Sequence, residues 1–176
     1  MIMPNTEALM SKALNKVLAA SGGLGYKAVA IGAIAHQSWG SKCEAPGIDV
    51  LMSTGPAQRE TLLSAVRGEG LQQSPDQPLH LKYNHATLGS VSVNLVEATT
   101  PFHAQVITRA QRSNILSTGM LVATCEDLIL LGAPRPVLVE LLRHNAGRID
   151  GAYLKKEAEA AGVFGEVKLA WQEARQ

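Results

Sequence analysis

Aromatic side chains are scarce in this chain. Phe, Trp and Tyr together make up 4% of its 176 residues. A core must therefore be built from Leu, Val, Ile and Ala, and a hydrophobic fraction of 46% is enough for a sizeable one. Charge is also thin: charged residues are 18%, below the usual quarter, and the formal net charge is +1. That balance gives no electrostatic footprint for DNA, RNA or an anionic membrane. There are two cysteines, Cys43 and Cys125, far apart and outside any CxxC pair. The spacing argues against a zinc site, and free thiols in a reducing compartment are expected. No apolar run is long enough to span a bilayer. Residues 1–7 lack the basic stretch and apolar core of a secretory leader. The expectation is a cytoplasmic protein of one domain with a small helical appendage.

Periodicity and turn chemistry give an order of elements. Thr6 can cap a first helix, in which Leu9, Ala13, Val17 and Leu18 recur at helical spacing and which Ser21, Gly22 and Gly23 stop. Residues 26–31 read as a strand, 32–40 as a short helix or turn, and 48–52 as a second strand. Residues 57–67 are helical, with Leu62, Leu63 and Val66 inward. The Gly-, Gln- and Pro-rich stretch 68–78 reads as a loop. Residues 79–84 and 90–96 each alternate apolar with polar and make a hairpin. A helix over 101–110 follows, then a short extended segment at 121–123. Thr124 starts a helix with Glu126 and Asp127 in its first turn, where the helix dipole favours acids. Further helices span 137–144, from a cap at Asp150 to 161, and 166–175. The order predicts an α/β fold: a mixed sheet with flanking helices over residues 1–112, then a helical C-terminal part over 113–176.

The most informative stretch is Val29-Ala30-Ile31-Gly32-Ala33-Ile34-Ala35, followed by Gly47-Ile48-Asp49-Val50. An apolar strand runs into a small-residue turn and a short helix, and the next strand carries one acid. Together with Val93-Asn94-Leu95-Val96, Arg109-Ala110 and the segment 123–130, this layout resembles the nucleotidyltransferase superfamily. The nearest likeness is to the minimal AbiEii-type or MNT-like branch. The resemblance implies a nucleotidyltransferase-like mixed sheet. It also implies metal-assisted nucleotidyl transfer, a strand ending in Gly-Gly or Gly-Ser, an Asp-x-Asp on the next strand and a third acid on a later one. It further implies a setting such as a toxin–antitoxin or phage-defence pair.

Such chemistry uses two magnesium ions about 3.5–4 Å apart to clamp the attacking and leaving oxygens. Residues two apart on a strand share a face, so both acids of Asp-x-Asp reach the metals. Small residues at the turn let backbone amides approach phosphates, which on the resemblance makes Gly32 and Ala33 nucleotide-binding. In this chain the first acid is Gly47, the third is Asn94, and Asp49 alone is retained. Asp49 is then the catalytic and metal-binding candidate, with Glu44, in the preceding loop, a lesser one that would have to swing in. Glu97 falls on the opposite face from Asn94 by strand parity. Magnesium is expected only with bound nucleotide, since one carboxylate plus substrate phosphates can hold a single ion. Arg109 is a candidate triphosphate contact, and Arg135 offers the one cation in its segment.

Each of these residues has a plainer reading. Asp49 can be a capping acid, Arg109 a helix-surface ion-pair partner, and Trp39 a core or interface side chain rather than a base-stacking one. His36 can be a partly buried polar residue. His80, His85, His103 and His144 lack metal-ligand spacing. Three functions follow. The first is a nucleotidyltransferase-fold protein with lost or much reduced transfer, binding nucleoside triphosphate weakly or a protein partner. The second is an active magnesium-dependent nucleotidyltransferase acting on a protein or RNA hydroxyl. The third is a structural or interaction module whose cleft is closed in a homo-oligomer.

Overall fold

The computed structural model describes residues 4–176, with the side chains of Pro4 and Asn5 left aside. Strands β1 (Ala28–Ile31), β2 (Gly47–Met52), β3 (Leu71–Gln73), β4 (His80–His85), β5 (Gly89–Glu97), β6 (Gln111–Ile115) and β7 (Thr118–Val122) form one sheet. Its order is β3-β4-β5-β2-β1-β7-β6. Helices are α1 (Pro4–Gly23), α2 (Gly32–Ser38), α3 (Arg59–Gly68), α4 (Pro101–Arg109), α5 (Cys125–Leu130), α6 (Arg135–Asn145), α7 (Gly151–Ala160) and α8 (Phe164–Ala174). The sheet is mixed: β2 runs parallel to β5, and β1 parallel to β7, while the other neighbours are antiparallel.

The core is aliphatic, as the composition requires. All four residues of β1 are buried, the mark of a strand covered on both faces. On β5, Val91, Val93 and Leu95 are buried and alternate with half-open Ser92, Asn94 and Val96. Helix α1 packs with α3 against this sheet, burying Met10, Leu14 and Val17. Helix α2 lies against β1, β2 and β6. The C-terminal helices pack in pairs, α5 on α7 and α6 on α8.

The structure departs from the sequence reading at four places. Helix α1 already begins at Pro4, so Thr6 lies inside it rather than at its cap. The expected loop 68–78 contains β3, which pairs with β4 through Leu71, Gln72 and Gln73. The expected short segment 121–123 is the end of a full hairpin, β6–β7, turned at Leu116 and Ser117, both with positive φ. Strand β7 then joins β1 (Val29 beside Leu121, Ala30 beside Val122), so the sheet continues past the expected division at 112/113 and the helices resume at Cys125. The side-chain caps at Thr124 and Asp150 form as read from the sequence.

Candidate functional site

Register places the candidate residues. Ile31, the last residue of β1, pairs with Asp49; Asp49 pairs with Asn94 on β5; and Asn94 pairs with His80 on β4. Cross-strand partners share a sheet face, so Asp49, Asn94 and His80 form a row across three strands. Gly47 lies on the same face two residues before Asp49.

The row is hydrogen-bonded throughout. Asn94 Nδ2 donates to Asp49 Oδ1 at 2.7 Å. Asn94 Oδ1 is in hydrogen-bond contact with His80 Nδ1. An ionised carboxylate only accepts, so the amide nitrogen of Asn94 must face Asp49 and its carbonyl must face His80. His80 Nδ1 therefore carries the proton of that bond, and Nε2 points away from it. His80 and Asn94 also line an open cleft of about 460 Å³ with Asp76, Gln77 and Pro78. Sequence reasoning assigns His80 no role, because its partner is visible only once the hairpin register is set.

The turn into α2 is built around Asp49. Gly32 has φ +64°, a left-handed conformation that favours glycine. A Cβ at Gly32 would collide with Asp49 Oδ2 and come within 3.0 Å of its Cγ. The absent side chain is what lets the carboxylate seat against the first turn of α2, whose cap residue Ile31 offers no side-chain acceptor. Ala33 follows in that turn, and its carbonyl accepts the Cys43 thiol at 3.7 Å. His36, one turn on, is buried. Burial holds its imidazole below the ordinary value, and the nearby Asp49 charge pulls the other way.

Gly47 is constrained as well. A Cβ there would lie 2.9 Å from the carbonyl oxygen of Ser92, on the neighbouring strand. Any side chain, an aspartate included, would have to push β5 backbone aside. Glu44 is exposed in the loop and has no hydrogen bond to Asp49. Glu97 lies on the face opposite Asn94, where Arg59 grips it through bonds of 2.8 and 2.6 Å. Among the described residues no group of three or more His, Cys, Asp or Glu side chains can hold a metal ion. The donor set is one carboxylate, and the neighbouring amide turns its nitrogen toward that acid and its oxygen toward His80. A two-magnesium centre does not fit these residues.

The other expected phosphate contacts are engaged elsewhere. Arg109 lies 3.3 Å from Asp127 and 3.7 Å from Glu126, with its guanidinium stacked 3.6 Å from the centre of the Tyr153 ring. Tyr153 donates to Asp127 at 2.6 Å, and burial together with that carboxylate pushes the phenol up. Arg135 pairs with Glu173 at 2.9 Å. Trp39 donates to the carbonyl of Ala123 at 2.9 Å, tying α2 to the chain after β7. Cys125 is buried and its thiol is pushed up to about 12, chiefly by desolvation, so it stays protonated and is no nucleophile at neutral pH.

The site thus belongs to an α/β protein whose mixed sheet presents one acid against the glycine turn of a short helix. Neither a protein-family model nor a curated protein sequence matches the chain, but solved structures do. An antigenic nucleotidyltransferase-like protein from Paracoccidioides brasiliensis superposes with a TM-score of 0.57 at 10% identity, over 92% of this chain and 92% of that one. The antibiotic-resistance factor ANT(2'')-Ia, in its solution structure, gives 0.49 at 12% identity over 96% and 92%. The lincosamide antibiotic adenylyltransferase LnuA, with lincomycin bound, gives 0.47 at 10% over 71% and 87%. At such identities the likeness is one of fold, and the first of the three carries it: this chain has the nucleotidyltransferase fold. No helix among the described residues is long and apolar enough to cross a membrane.

Proposed function

We propose that this protein binds a nucleoside triphosphate weakly at the Gly32–Asp49 turn and has lost efficient nucleotidyl transfer. The observation that carries the reading is the bond from Asn94 Nδ2 to Asp49 Oδ1. At the place where the resemblance implies the third metal-binding acid stands an amide, and it satisfies the one acid that is left. Gly32 lies against Asp49, and the first turn of α2, with Ala33, has no side-chain cap, so its backbone N–H groups are the ones phosphate oxygens would approach. Magnesium enters only as an ion carried by the phosphates, for which Asp49 is a single protein ligand. Arg109 is withdrawn from this role by its ion pairs with Glu126 and Asp127. The minimal AbiEii-type branch, and with it a toxin–antitoxin or defence setting, is part of the same reading. Its support is the sequence pattern at residues 31–49 and 109–130.

The test is calorimetric titration with a panel of nucleoside triphosphates, with and without magnesium, on the wild type and Asp49→Ala. The expected result is weak, magnesium-dependent binding that Asp49→Ala reduces, with no transfer of radiolabel to protein or RNA. A flat titration at millimolar nucleotide removes the nucleotide half of the proposal. Magnesium-dependent labelling of an acceptor, abolished in Asp49→Ala, removes the other half.

A further inference from the structure

The chain has eight arginines. Four are held by carboxylates: Arg59 by Glu97, Arg67 by Glu60, Arg109 by Glu126 and Asp127, and Arg135 by Glu173. Arg143 donates to the carbonyls of Glu173 and Ala174 at the end of α8. Among the described residues, Arg112, Arg148 and Arg175 have neither a carboxylate nor a backbone carbonyl as partner. Two of these, Arg112 and Arg148, line one small cleft with Ser38, Trp39, Gln111 and Ser113. In a charge-poor chain of net charge +1 this is a marked concentration of unneutralised cation.

Arg148 is positioned rather than loose. Asn145, 1% exposed, donates both N–H groups of its amide, to the carbonyls of Trp39 and Leu141 at 2.8 and 2.9 Å. Its carbonyl oxygen is then left to accept from Arg148 Nη2 at 2.8 Å. The guanidinium carbon lies 5.7 Å from the centre of the Trp39 ring, which is itself fixed by the bond to Ala123. A guanidinium has five N–H donors, and only the bond to Asn145 takes one of them.

The cleft measures about 170 Å³. That is below the roughly 300–1,000 Å³ of sites that enclose a whole small-molecule ligand, so it takes one group of a ligand. A second cleft of about 360 Å³ shares Trp39, Gln111 and Arg148 with it and reaches Thr124, Glu126 and Asp150. Two arginines match a group of nearly two negative charges, which a phosphomonoester carries at neutral pH and a carboxylate does not. Glu126, on the wall of the larger cleft, accepts from the Asp150 amide at 2.6 Å and keeps lone pairs for hydroxyl donors. We propose that these joined clefts bind a phosphorylated polyol, with its phosphoryl group between Arg112 and Arg148 and its hydroxyl-bearing body toward Glu126. The site is separate from Asp49. It lies at the opposite end of α2, about 10 Å along the helix axis by its seven-residue length.

Trp39 reports on the cleft once the other tryptophan is silenced by Trp171→Phe. In that background ribose 5-phosphate should change Trp39 emission saturably. Inorganic phosphate should bind more weakly and ribose should not bind. Arg112→Gln, at an exposed position, and Arg148→Gln should each weaken ribose 5-phosphate roughly tenfold, the share of a charge-assisted hydrogen bond, whereas Lys168→Gln should not. Binding that survives both arginine substitutions, or no saturation at tens of millimolar, overturns the site. Equal affinity for inorganic phosphate and ribose 5-phosphate overturns the two-cleft ligand.

Discussion

Asp49 stands on a half-open sheet face with the Asn94 amide bonded to it, whereas Asp127, fully buried, is held by Arg109 at 3.3 Å and by Tyr153 at 2.6 Å. Each acid lies at the first turn of a short helix: Asp49, within β2, packs against Gly32 of α2, and Asp127 stands in the first turn of α5. The first has almost no ionic company. The second anchors a network of Glu126, Arg109, Tyr153 and the Asp150 amide that joins α4 and α5 to α7. Charge in this molecule is placed where helices meet, and is nearly absent where the resemblance implies that chemistry would need it. A structural acid and a candidate site acid can thus share a local setting and still differ in everything that decides their role.

The comparison can be broken most forcefully at Asp127. Asp127→Ala strands the Tyr153 hydroxyl and leaves Arg109 only Glu126, at 3.7 Å. A broken buried pair typically loses about 3–5 kcal/mol, and the partial exposure of Arg109 puts the expectation at about 3 kcal/mol, read from denaturant midpoints. Asp49→Ala should remove far less stability; if the two losses are equal, the contrast fails. Next in size is Gly32→Ala. A left-handed alanine and the collision with Asp49 should together destabilise by about 2 kcal/mol. Part of that loss should be recovered in the double variant with Asp49→Ala, and a double-mutant cycle without coupling would show that the turn is not built around the acid.

A finer probe separates steric from ionic causes of the missing acids. Gly47→Ala adds only a Cβ against the Ser92 carbonyl and should destabilise by about 1 kcal/mol. Asn94→Asp should fold, because the position already carries an isosteric side chain. Its two adjacent carboxyl groups should raise the pKa of one of them. Stability of this variant should then fall as pH rises through that raised value, and magnesium should restore it. A pH profile like that of the wild type, with no magnesium effect in calorimetry, would count against the geometry. The smallest effect belongs to His36. Its folded-state pKa is depressed by burial, so the unfolded state binds more protons. Stability should be complete above the ordinary histidine value of 6.5 and should fall as pH drops below it. His36→Gln should flatten that part of the profile.

The hairpin β4–β5 was legible because Leu81, Tyr83, Val91 and Val93 alternate with polar residues, and the alternation is what burial of one face demands. The parity of Gly47, Asp49 and Asn94 was legible for the same reason. Strands β3 and β6 were not. Both are edge strands, where an exposed face and unpaired backbone tolerate Gln, Arg, Ser and Asn, so no apolar period survives. The β6–β7 turn places Leu116 and Ser117 at positive φ, without the Asn or Gly that usually announces such a hairpin. His80 escaped because it belongs to the site through register. Arg109 was read as a candidate phosphate contact because its ion-pair partners come from α5, behind an unseen hairpin.

The parallel pairing of β1 with β7 has a consequence for synthesis of the chain. Strand β1, with all four residues buried, has β2 on one side within two dozen residues, but its other neighbour is completed only at Val122. Until then a nascent or truncated chain presents an apolar strand with an open backbone edge, the kind that pairs with other copies. Shortened forms ending before residue 118 should therefore gather into aggregates rather than persist as a smaller domain. The ribosome must release more than two thirds of the sequence before the first strand is safe.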